Sequence, residues 1–131
     1  MIFDHLDRSD SFEGDVCVVG AGPVGLALAL RLAQNGLSVN LLEAGGAVPN
    51  AAKGDAFDID NADPKTHADR HDISRQGFGG TSSVWGGGCA PYSAYDFRKR
   101  AHVPHSGIPI SYREIAGYFK DTSQFLSLIH I

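Results

Sequence analysis

A chain of 131 residues, 43 % of them apolar, is one domain's worth of ordinary globular composition. Its net charge of -4 and its lack of an extended basic cluster argue against a nucleic-acid surface. The opening MIFDHLDRSDSFEGD is acidic and holds no apolar core, so it is not a secretory signal, and the two cysteines are expected as reduced thiols in a cytoplasmic protein.

Residues 1–14 read as a leader lying over the domain outside its sheet, tacked down by Phe3, Leu6 and Phe12. His5 has no second ligand beside it and is expected at the surface.

Residues 16–43, VCVVGAGPVGLALALRLAQNGLSVNLLE, predict a strand, a glycine turn, a helix and a second strand. Val16, Val18 and Val19 form a β-branched run that stops at Gly20, as in a parallel strand covered on both faces, with Cys17 a small buried member of it. Gly20 makes the turn, Gly22 leaves room for a ligand phosphate, and Gly25 lets the helix lie close on the strand. Pro23 suits the first helical position, where no intrahelical N–H partner is needed and φ is already helical. The helix runs to about Gln34 and is apolar almost all round from Leu26 to Ala33, which predicts burial between a sheet and further structure. Asn35 and Gly36 end it, Gly36 as a left-handed cap. Glycines and Arg31 interrupt the apolar run of 16–33, which argues against a membrane span.

The helix N-terminus beside the strand's carboxyl end favours an anion by about 0.3 to 1 kcal/mol from the dipole alone, and a pyrophosphate fits there. Glu43 follows Gly20 by 23 positions, where a carboxylate accepts ribose hydroxyls and repels a 2'-phosphate, so NADP is disfavoured. A βαβ unit that merely packs does not explain three glycines followed by a strand-end Glu.

Ala44, Gly45 and Gly46 turn the chain beside the expected ribose and adenine. From Pro49 to about Gln76 no period of 2 or 3.6 survives, and Phe57 and Ile59 are isolated, which predicts a long excursion. His67 and His71 stand four apart around Asp69, but no third ligand follows at a metal-site spacing, so a solvated segment is expected there. Residues 76–89, QGFGGTSSVWGGGC, hold six glycines in the twelve positions from Gly77 to Gly88. Such a run makes neither a sensible helix nor a strand, and its Phe and Trp set it apart from a flexible linker. It predicts a ligand-lining loop, with hydroxyls from Thr81, Ser82 and Ser83 and a broad apolar face from Trp85. Cys89 in this loop is expected exposed and unbridged to Cys17.

Residues 91–100 read as extended chain leading to a basic turn, Arg98, Lys99 and Arg100 forming a solvated face. A helix starts at Ser111, where Glu114 completes a capping box, Ile110 meets Ile115 as a staple, and Ile115, Tyr118 and Phe119 form the apolar face. Gly117 in its middle costs about 0.8 to 1 kcal/mol relative to Ala, so the helix needs a partner surface. Residues 126–131 read as an interrupted or non-native tail.

With both glycine-dense stretches in hand, residues 15–125 resemble the N-terminal part of the glucose-methanol-choline (GMC) family of flavin-dependent oxidoreductases, especially its bacterial, pyranose-oxidase-like branch. The resemblance is carried by DVCVVGAGPVGLALALRLAQNGLSVNLLEAGG and, more specifically, by GFGGTSSVWGGGC, with DFRKR and VPHSGIPIS beyond. It implies an α/β fold: a Rossmann-like FAD-binding βαβ unit with long loop excursions, an incomplete portion of a larger two-domain flavoprotein. It implies that Gly20, Gly22, Gly25 and Glu43 hold the ADP half of FAD, and that Gly80, Thr81, Ser82, Ser83 and Trp85 run beside the pyrophosphate and flavin ring. Where pyranose oxidases carry a histidine bonded to the flavin this chain has Val84, so a non-covalent, dissociable FAD is expected.

The family's catalytic base sits near the end of a much longer chain, and His102, His105 and His130 lie in the wrong region for it, so no catalytic residue is assigned. The resemblance implies a whole protein that moves a hydride from an alcohol or sugar carbon to the flavin while a base takes the hydroxyl proton, with the electron acceptor open. The stretch by itself is expected to be inactive and to hold flavin weakly. An aromatic-ring flavin monooxygenase shares GAGPVGLALAL and LLE but leaves GGTSSVWGG unexplained. A non-catalytic dinucleotide-binding module is the alternative of another class.

Overall fold

The computed structural model describes residues 7, 10–51, 63, 65, 66, 68 and 73–126. The expectations for Phe3, His5, Leu6, Phe57, Ile59, His67, Asp69, His71 and the tail from 127 onward lie outside the described residues. Two compact units divide the chain, Met1–Trp85 and Gly86–Ile131.

The first unit is organised on β1 (Val16–Val19) and β2 (Val39–Leu42), which pair in parallel with Val16 opposite Val39 and Val19 opposite Leu42. Parallel neighbours need a crossover, and α1 (Pro23–Gln34) supplies it. The ladder continues past both ends: Gly20 N–H donates to the Leu42 carbonyl at 2.7 Å, and Ser38 N–H donates to Asp15 Oδ2 at 2.8 Å. A Cβ on Gly25 would overlap the Gly20 carbonyl oxygen, so the absence of a side chain is what lets α1 lie against the end of β1. The helix stops where Asn35 and Gly36 predict. The Asn35 amide donates to the Arg31 carbonyl at 2.9 Å, and Gly36 takes φ +85°.

Burial departs from the sequence expectation. Among the described residues only Val18 and Ala21 are buried apolar residues. Val19 is 81 % and Val24 82 % exposed, Leu28 and Leu30 are about half exposed, and Cys17 is an exposed free thiol where a buried one is expected. The physical reason is the extent of the sheet: β1 has β2 as its one described neighbour, so neither β1 nor α1 is enclosed on every side. Cys89 is exposed, as expected, and is a free thiol.

The excursion after β2 closes on itself. β3 (Asn50–Ala51) pairs antiparallel with β4 (Arg75–Gln76), a ladder too short to leave any period in the sequence. Beyond β4 the glycine run bends sharply, with Gly77 at φ +134° and Gly79 at φ +93°, conformations that side chains disfavour. Gly80–Val84 then forms a single 3-10 turn, and Trp85 leaves it in extended geometry.

In the second unit the Ser106 hydroxyl donates to the Arg100 carbonyl at 2.9 Å and accepts the Arg100 N–H at 2.8 Å. Arg98 and Lys99 are exposed as expected, but Arg100 is half-buried with its guanidinium 5.4 Å from the centre of the Tyr95 ring. The helix at Ser111 starts with its capping box, Ser111 N–H donating to Glu114 Oε2 at 2.7 Å. It is two helices rather than one, α2 (Tyr112–Ala116) and α3 (Phe119–Phe125), because Gly117 closes the first as its C-cap. Tyr118, expected on a buried face, is 59 % exposed. Packing comes instead from an aromatic row, in which Tyr92 to Phe97, Phe97 to Tyr112 and Tyr112 to Phe119 have ring centres 6.1, 5.9 and 5.9 Å apart. Among the described residues no helix is long and apolar enough to cross a membrane, and no group of three or more metal-ligating side chains occurs.

Candidate functional site

The carboxyl ends of β1 and β2 open into a cleft of about 650 Å³ in the first unit, within the size range of ligand pockets. Its floor is the strand ends, Val19 and Leu42, and the turn between β1 and α1, through Gly20, Gly22 and Pro23. Glu43, Ala44, Gly80, Thr81 and Ser82 line it as well. The two glycine-dense bends therefore meet. Gly79 N–H donates to the Ala21 carbonyl at 2.8 Å, and a Cβ on Gly80 would stand 3.3 Å from Gly22 Cα. Over Gly22 itself no heavy atom lies within 4 Å of where a Cβ would be, so the backbone there is open to an approaching group.

Glu43 is the most heavily bonded side chain of the cleft. Its Oε2 accepts Ala21 N–H at 2.7 Å, and its Oε1 accepts Gly45 N–H and Gly77 N–H, both at 2.9 Å. Burial pushes its pKa up, but the N–H groups of Ala21, Gly45, Gly77 and Ala44 outweigh that and hold the carboxyl below the usual Glu range. Three hydrogen bonds fill three of a carboxylate's roughly four lone-pair sites, which leaves acceptor capacity for one ligand hydroxyl. Sequence reasoning foresaw only a ribose partner; the structure shows a clasp joining three backbone segments.

Thr81 Oγ1 accepts the Arg75 N–H at 3.2 Å, and the Ser82 hydroxyl donates to the Gly79 carbonyl at 2.6 Å. Both hydroxyls thus brace the bend, and both residues line the cleft. Ser83 and Trp85 are exposed and lie outside the cleft lining, Trp85 because extended backbone carries it off the 3-10 turn. Gly25 is also outside the lining and acts through helix packing. Arg75 and Gln76 line the cleft and were missed. Their signal in the sequence is a lone basic residue just ahead of the glycine run, sparser than the Arg98–Arg100 triplet.

Residues 15–59, about a third of the chain, match the model of the family DAO, described as FAD dependent oxidoreductase. No curated protein and no solved structure matches. The parallel pair with its crossover helix is consistent with the start of a Rossmann-like βαβ unit, and the matched family is FAD-dependent, which supports FAD as the cofactor of an oxidoreductase module. The residues present fit the ADP half of that group: a mouth open over Gly22, a helix N-terminus behind it and an ionised carboxylate at the end of β2.

Proposed function

We propose that this chain is the FAD-binding part of a GMC-type oxidoreductase that acts on the CH–OH groups of alcohols or sugars. The supporting observation is the hydrogen bond from Gly79 to Ala21, which brings the stretch most specific to the GMC resemblance onto the dinucleotide turn. Two segments with no sequence proximity thereby line one cleft.

In this reading the turn of Gly20, Gly22 and Pro23 receives the pyrophosphate, and Gly25 holds α1 close enough for its N-terminus to act on that charge. Glu43 takes a ribose hydroxyl with its remaining acceptor capacity, and Ala44 lies beside the adenosine. Gly80, Thr81 and Ser82 bound the middle of the cofactor, while Ser83 and Trp85 lead toward the flavin. Val84 offers no nucleophilic atom, so the cofactor is held without a covalent bond. FAD, when bound, supplies the hydride acceptor. The partners are a small alcohol or sugar and an electron acceptor, in a cytoplasmic protein.

The test is reconstitution with FAD of the whole protein that carries this sequence, followed by an absorption spectrum after gel filtration and again after acid precipitation. Flavin bands that travel with the native protein and stay in the acid supernatant are expected; retention of NAD in preference to FAD would sink the reading. For donor class, anaerobic bleaching of the flavin by alcohols or sugars is expected in the whole protein that carries this sequence. Bleaching that needs NADPH and a phenol would point to a monooxygenase instead.

A further inference from the structure

We propose that Arg75 is a specificity residue of the cleft, its guanidinium pairing with the diphosphate of the bound dinucleotide. This rests on the reading that the cleft takes FAD.

Arg75 lies in β4 opposite Ala51, and its backbone N–H is tied at 3.2 Å to Thr81, in the same 3-10 turn that brings Gly80 against Gly22. The residue is half-buried and lines the cleft together with Gly20, Gly22 and Glu43. Its backbone is therefore fixed at the bend that faces the nucleotide turn.

Charge decides what it can pair with. Among the described residues Glu43 is the one acidic side chain lining the cleft, and its carboxylate already accepts three backbone N–H bonds, at 2.7, 2.9 and 2.9 Å. Among the described residues no carboxylate pairs with Arg75, because Glu43, the acidic side chain they bring to the cleft, is committed to backbone N–H groups. A diphosphate brings two negative charges, and a helix N-terminus offers the equivalent of only about half a positive charge. The guanidinium supplies the rest, as a planar fork matched to phosphate oxygens. A phosphate on the ribose 2'-oxygen is the other anion an arginine at such a site accommodates. Glu43, ionised in the same cleft, disfavours it.

The experiment is calorimetric titration of the full chain, and of its Arg75→Gln and Arg75→Lys variants, with FAD, ADP, adenosine and a 2'-phosphorylated adenosine nucleotide. Far-UV circular dichroism checks each variant's fold. Arg75→Gln is expected to weaken FAD and ADP by about 10-fold or more, the loss of a charge-assisted pair, and to leave adenosine unchanged. Arg75→Lys should recover part of the loss, because a point charge remains without the fork. Equal ADP affinity in the wild type and Arg75→Gln overturns the assignment while leaving FAD binding intact. So does an equal loss for adenosine, or a loss confined to the 2'-phosphorylated nucleotide. A wild-type chain that binds neither FAD nor ADP overturns instead the reading of the cleft, and this inference with it.

Discussion

Gly77 donates its backbone N–H to Glu43 Oε1 at 2.9 Å across 34 positions of sequence. The same oxygen takes Gly45 N–H, and its twin takes Ala21 N–H, so one carboxylate fixes the turn between β1 and α1, the exit from β2 and the entry to the second glycine bend. Holding those three segments together gives the cleft its shape.

Replacing Glu43 by Gln preserves size but turns one acceptor into an NH2 donor, which then faces a backbone N–H. An unsatisfied donor costs about 1 to 3 kcal/mol when fully buried, and Glu43 is only half-buried, so the lower end, about 1 kcal/mol, applies. Glu43→Gln should lower the urea midpoint by a corresponding amount and weaken FAD as well, because the bends separate. A variant with unchanged midpoint would show that the clasp contributes nothing to stability.

The pH dependence follows from the same group. The folded Glu43 carboxyl is held below its usual range despite the opposing effect of burial, so folding favours the ionised form. Its contribution is full above the ordinary Glu value of about 4.3 and is lost as the pH falls through the lower folded value. Glu114, held down by the Ser111 N–H and hydroxyl, and Asp96, held down by the Ser93 N–H and hydroxyl, add losses of the same sign. The Glu43 share is isolated by comparison: the gap in melting temperature between wild type and Glu43→Gln should narrow as the pH is lowered from about 5. A gap that stays constant would assign the acid sensitivity elsewhere.

What the sequence shows of this fold is its local part. The valine run, the glycine spacing, Pro23, the Asn35–Gly36 stop and the Ser111 capping box each act over a few residues, so the elements they specify can be read directly. The contact between Gly79 and Ala21 joins segments far apart in sequence, and only the resemblance of both stretches to one family suggested it. Arg75 was invisible because a two-residue ladder carries no period. The exposure of Cys17 and Val19 was misjudged for a related reason. A β-branched run tells that a strand suits burial and says nothing of whether a neighbour covers it.

Gly22 and Gly25 are separable by mutation. Gly22 has φ -72° and ψ 176°, which any residue adopts, and open space where a Cβ would go. Gly22→Ala should therefore fold with stability within about 0.5 kcal/mol of wild type, yet bind FAD more weakly because the methyl occupies the approach to the backbone. Gly25→Ala drives its Cβ into the Gly20 carbonyl oxygen and should destabilise by about 1 to 3 kcal/mol or more, as overpacking does. Denaturant midpoints and FAD titrations on both variants check this. Equal stabilities would mean that α1 does not rest on β1 as described.

Gly117 offers the opposite case, a glycine without a steric reason. It sits at φ -64° and ψ -23°, an ordinary right-handed helical conformation, and no heavy atom lies within 4 Å of a Cβ placed on it. Alanine there restricts the unfolded chain without straining the folded one, a gain of about 0.4 to 1 kcal/mol. The substitution also favours helix through the break between α2 and α3, where Tyr118 already has φ -90° and ψ -8°. Gly117→Ala should raise the denaturant midpoint and increase the helical ellipticity, with FAD affinity unchanged because Gly117 does not line the cleft. A lowered midpoint would show that the break between α2 and α3 is needed, since a continuous helix would then disturb the row of Phe97, Tyr112 and Phe119 that holds this unit together.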